Sequence, residues 1–133
     1  MPMKGKKGEQ IRAPILHSSF PGGAVTIKVN EDKVKTTAYF IAEENKPWQD
    51  LVWLFAEAEL RLAPAYVHGS LYKKGDEVRE VQLFPDLIVD HPPEEDVRAL
   101  AIRLAGQGFS PPDLHWLIAE RREVYKSVLD LYF

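Results

Sequence analysis

Ten prolines punctuate the 133 residues, and they restrict the chain to short elements with enforced starts and stops. A proline ring removes a backbone N–H donor and is excluded from helix interiors, so it stands in the first turn of an element or at its end. Pro47, Pro92-Pro93 and Pro111-Pro112 each precede a stretch with helical apolar spacing. Pro64 and Pro85 fall where apolar patterns stop, and Pro14 and Pro21 interrupt the N-terminal part.

Between these breaks the periodicity gives the following expectations. Residues 1–10, with three lysines and two glycines, read as a flexible basic tail, and Ile11 to Leu16 as a short edge strand. Val25, Ile27 and Val29 alternate with Thr26 and Lys28, the period of a half-buried strand. Asn30-Glu31-Asp32-Lys33 reads as a polar turn, and Val34 to Ala42, rich in β-branched and aromatic residues, as the strand that returns from it. After Pro47, the positions Trp48, Leu51, Val52, Phe55, Ala58 and Leu62 recur at helical spacing, while Trp53, Leu54 and Leu60 widen the apolar arc. A helix with so broad an arc needs cover on more than one side, from its own domain or from a second subunit.

Tyr66 to Lys73 and Val78 to Phe84 read as a second hairpin, and Leu87-Ile88-Val89 as a brief further strand. Glu94, Glu95 and Asp96 suit the first turn of the next helix, where they complement its dipole, and Gly106 and Gly108 end it. Ser110-Pro111-Pro112-Asp113 carries a capping serine, proline at the first helical position and an acid three residues on, so it opens the last helix. Leu114, Leu117, Ile118, Val124, Tyr125, Val128 and Leu129 form that helix's stripe.

The expected fold class is α+β, a two-layer sandwich of a mostly antiparallel sheet with one central helix and a C-terminal helical pair. The expected organisation is a tail over 1–10 and one domain over 11–133. Within that domain, 11–91 holds the sheet and first helix, and 92–133 the helical pair.

The formal net charge of −3 supplies no global positive field for nucleic acid or acidic membrane. The absence of cysteine excludes disulfides, thiolate nucleophiles and cysteine zinc sites, and with no long apolar run a cytoplasmic protein is expected. The four histidines, His17, His68, His91 and His115, show no paired metal-ligand spacing. Asp86, Asp90 and His91 form the closest ionisable cluster, the centre of a small metal-dependent hydrolase if one exists, but a lone Asp-His pair specifies no reaction. Ser18 and Ser19 beside His17 lack a nucleophile elbow, and Gly106-Gln107-Gly108 leads into two prolines that remove the donors an anion site would use.

The two C-terminal helices and their glycine turn also suggest a helix-turn-helix-like unit for nucleic acid. Arg121, Arg122 and Lys126 would serve it, but Glu120, Glu123 and Asp130 dilute them. Arg121 falls on the apolar stripe, where three placements are open: snorkelling, pairing with a buried carboxylate, or a partner surface.

Trp53, Trp116, Tyr132 and Phe133 lie off or beyond the main stripes and, with Arg121, are the candidate partner-binding residues. The same aromatics could equally complete the core. The function expected is therefore non-catalytic: a protein–protein interaction or accessory protein, a homodimer or a subunit of a larger assembly. No catalytic residue, metal or cofactor is expected.

Overall fold

The computed structural model describes residues 23–68 and 80–133. The expected basic tail, the edge strand at Ile11 to Leu16, His17, Ser18, Ser19 and the turn of the second hairpin lie outside the described residues.

The fold is α+β, with a two-stranded antiparallel sheet and four helices among the described residues. Strand β1 (Val25–Lys28) is followed by helix α1 (Glu31–Glu43) and helix α2 (Trp48–Leu62). Strand β2 (Glu80–Leu83), helix α3 (Glu94–Ala105) and helix α4 (Pro111–Tyr132) complete the order. β1 pairs with β2 in the register Val25↔Leu83 to Lys28↔Glu80, and both strands alternate buried with exposed residues.

The expected first hairpin does not form: Val34 to Ala42 is helical and β1 finds its partner some fifty residues later. The physical reason begins at Asn30, which is a helix cap rather than a turn residue. Its side-chain oxygen accepts the Lys33 backbone N–H at 3.1 Å, and Glu31 and Asp32 sit at the positive end of the helix dipole. Val34 and Ile41, seven residues apart, are the buried positions of α1. Two turns of helix put such residues on one face, whereas a strand would put them on opposite faces. The β-branched content of the segment concealed that spacing.

The larger sheet expected from two hairpins is reduced to two strands among the described residues. Of the second hairpin, an antiparallel bridge between Tyr66 and Leu83 is present, with Val67 N–H donating to the Gln82 carbonyl at 3.0 Å. Leu87-Ile88-Val89 is not a strand: a 3-10 turn spans Pro85–Leu87, and Val89 N–H is tied to the Arg61 carbonyl.

The helix boundaries follow the punctuation. α2 starts after Pro47 and gives way before Pro64 to a 3-10 turn over Ala63–Ala65. α3 begins after Pro93 and ends at Gly106, and the connection to α4 needs the positive φ of 74° at Gly108. Ser110 and Asp113 form a capping box: Ser110 Oγ accepts the Asp113 N–H at 3.2 Å and the Asp113 carboxylate accepts the Ser110 N–H at 3.5 Å.

Two apolar clusters make the core. One gathers α1, α2, α3 and the first half of α4 around Phe55, Leu114 and Ile118. The other joins both strands and the end of α2 to Val124 and Val128 of α4. α4, 22 residues long and so roughly 33 Å, runs through both. α3 and α4 each pack on α2, so the broad apolar arc of α2 is covered within the domain.

Candidate interaction site

Arg121 is the charged residue that the fold encloses most completely. It sits on α4 with no exposure and with its guanidinium 4.9 Å from the centre of the Phe55 ring. Its Nε donates to Glu59 Oε1 at 2.9 Å, and its Nη1 donates to Glu120 Oε1 and to the Leu117 carbonyl, both at 3.2 Å. Tyr66 Oη donates to the same Glu59 oxygen at 3.3 Å. Phe55 belongs to the helical cluster and Tyr66 to the sheet cluster, so this ionic group bridges the two halves of the core. Of the three placements open to Arg121, pairing with buried carboxylates is the one found, and no partner can reach it as folded.

The ends of α2 and α4 meet the loop that carries Asp90. Tyr125 Oη donates to Asp90 Oδ1 at 2.5 Å, and Arg61 Nε donates to the Asp90 carbonyl at 3.0 Å while its guanidinium lies 5.6 Å from the Tyr125 ring centre. Burial, then the hydrogen bond and negative charge of Asp90, push the Tyr125 phenol well above its ordinary range, with Arg61 pulling the other way. A phenol held so firmly protonated ties a loop and is not a base at neutral pH. His91 is exposed, and His68 instead contacts Gln82 Oε1 at 2.9 Å. Among the described residues no three His, Cys, Asp or Glu side chains converge as metal ligands.

An open polar groove of about 360 Å³ lies between the start of α1 and α4. Lys33 and Lys126 on its walls are balanced by Asp32 and Glu123, and Glu123 accepts the Thr37 hydroxyl at 2.8 Å. Ligand pockets are generally enclosed, and this one is open.

The helix-turn-helix reading requires a recognition helix with one face open to a groove. α4 is buried continuously from Leu117 to Arg121, because α1 and α2 both pack on it. Its central turns therefore have no free face to offer nucleic acid.

The expected partner-binding aromatics separate into two groups. Trp53 is partly buried against the helical cluster and has the Arg98 guanidinium 5.9 Å from its ring, and Trp116 packs on the same cluster. Tyr132 is partly buried against the sheet cluster, whereas Phe133 is 66% exposed.

Two aromatics missed by the strand reading stand further out. Tyr39 and Phe40, 59% and 60% exposed, lie on α1 opposite Val34 and Ile41, with ring centres 5.5 Å apart in an edge-to-face contact. Single exposed apolar side chains such as Ile102 are ordinary; two adjoining rings on one helix face are not. Val34 and Ile41 were the signal that could have found them, since helical phasing turns Tyr39 and Phe40 outward.

Among the described residues no helix is long and apolar enough to cross a membrane. No protein-family model matches the chain, and neither curated proteins nor solved structures provide a match, so its function must be read from the geometry itself.

Proposed function

We propose that this chain is a non-catalytic interaction or accessory protein that acts as a homodimer or as a subunit of a larger assembly, and that its cysteine-free sequence serves in the cytoplasm. The observation that carries this reading is the Tyr39–Phe40 pair on the outer face of α1. Aromatic side chains lose little conformational freedom on docking and supply much of the energy of protein interfaces. Phe133 at the C-terminal tip of α4 adds a second exposed site.

The other readings draw less support. The ionisable groups that cluster inside, Glu59, Glu120 and Arg121, are closed to substrates, and Asp90 is engaged in tying a loop. The test is purification of the tagged chain from its native cells at natural abundance, followed by mass measurement of the intact particle. A species heavier than one 15.2 kDa chain, lost in the Tyr39→Ser/Phe40→Ser double variant, supports the reading. A lone chain in the native extract that also stays monomeric up to about 1 mM removes it.

A further inference from the structure

We propose that the outer face of α1 is a self-recognition surface, on which two copies of this chain pair antiparallel about a two-fold axis beside Tyr39. This rests on the interaction reading above and names its partner. Charge placement on the helix singles out the second copy. Lys35 and Glu43 are exposed and lie four residues to either side of Tyr39, on the same stripe of the helix. Neither makes an ion pair or side-chain hydrogen bond among the described residues, whereas the exposed Arg98 pairs with Glu94 and Lys46 pairs with Glu44.

A two-fold contact is isologous, so each residue faces the one placed symmetrically about the axis. With the axis at Tyr39, Lys35 of one copy meets Glu43 of the other, and Glu43 meets Lys35. The tyrosines lie at the centre and the phenylalanines flank them. A parallel pairing would instead set Lys35 against Lys35 and Glu43 against Glu43, which like-charge repulsion disfavours. The stripe is therefore complementary to itself in one orientation.

The contact is small. α1 has 13 residues and is about 20 Å long, so one helix pair falls below the roughly 1,200–2,000 Å² of a standard stable interface. A weak dimer is expected, with a Kd of roughly 10–100 μM, in the range of transient complexes.

Sedimentation equilibrium of the full chain, over about 1 μM to 1 mM, spans that range and tests the proposal. Lys35→Glu alone and Glu43→Lys alone should each weaken self-association about tenfold, because two attractions become two repulsions. An equimolar mixture of the two variants should form a heterodimer near wild-type strength. In that heterodimer both carboxylates of one chain face both ammonium groups of the other, so two attractions are restored. Tyr39→Ser/Phe40→Ser should abolish dimerisation while the circular dichroism spectrum stays unchanged.

A chain that remains monomeric throughout the range overturns the self-recognition proposal. The interaction reading then stands or falls on the native particle mass alone. A dimer indifferent to all of these substitutions also overturns the α1 surface, but leaves the interaction reading in place with its contact elsewhere.

Discussion

Helices α1 and α4 lie side by side and distribute their residues in opposite ways. α4 places Glu120 and Arg121 in the centre of the molecule, while α1 places Tyr39 and Phe40 in water. Each departs from the usual sorting of polar outward and apolar inward, yet only one is resolved inside the chain. Arg121 finds Glu59, Glu120, a backbone carbonyl and the face of Phe55, so its charge is paired within its own fold, although Nη2 is buried without a hydrogen-bond partner among the described residues. Tyr39 and Phe40 have each other and solvent. The contrast teaches that an irregularity with internal partners belongs to the architecture, and one without them points outward to another surface.

The largest effect expected from breaking this contrast is at Arg121. Arg121→Ala removes the guanidinium between Glu59 and Glu120 and should destabilise the fold by about 3–5 kcal/mol. That is a large share of the total stability of a domain this size, roughly 5–15 kcal/mol, and denaturant unfolding should show the midpoint fall sharply. Arg121→Met, which restores apolar volume but no charge, should recover part of the loss.

Asn30→Ala comes next. It removes the cap that makes α1 a helix, at about 1 kcal/mol, read as a lower thermal midpoint.

Tyr125→Phe should be of similar size near neutral pH, about 1 kcal/mol for one lost hydrogen bond. Its pH dependence has a definite sign. The phenol is raised above its unfolded value in the folded chain, so its contribution is complete below about pH 10 and is lost as pH rises from there towards the folded value. The stability of the wild type should therefore fall more steeply above about pH 10 than that of Tyr125→Phe. The comparison of the two alkaline unfolding curves checks this.

The smallest effect sharpens the contrast from the other side. Tyr39→Ser/Phe40→Ser should leave the unfolding free energy of the monomer, measured at high dilution, within about 0.5 kcal/mol of wild type. Two aromatic rings whose loss hardly changes the fold are not part of its core.

Much of this architecture could be read from local chemistry. The last helix was legible because Ser110, Pro111 and Asp113 act within one turn, and α2 and α3 because proline and glycine mark their ends. α1 was not, because Val34, Thr36, Thr37 and Ile41 carry strand-like side chains, and Asn30 serves a turn as readily as a cap. The true partner of β1 was hidden for a different reason: pairing across so long a stretch is set by tertiary packing and leaves no adjacent turn signal.

At the candidate site, Arg121 was recognisable as anomalous from its place on an apolar stripe. Glu59, its strongest partner, lies 62 residues away on another helix and could not be named from spacing. Trp53 and Trp116 looked available because no local pattern reveals Arg98 beside one ring or the core behind the other. Tyr39 and Phe40 were lost with the strand assignment, since the residues that face outward depend on the period assumed.

The chain contains no cysteine, so a single introduced thiol reports one position without background. Tyr39→Cys places that thiol beside the proposed two-fold axis while Phe40, Lys35 and Glu43 stay in place, so the contact, weakened by the lost ring, is read at about 1 mM. Ile102→Cys, at the same concentration, places the thiol on α3, where Ile102 is 68% exposed. Under mild oxidation, disulfide formation demands Cα atoms within about 7 Å of each other. Self-recognition through α1 predicts rapid conversion of Tyr39→Cys to a covalent species of twice the 15.2 kDa chain mass, with Ile102→Cys far slower. Equal rates at the two positions, or faster coupling at Ile102→Cys, would contradict it.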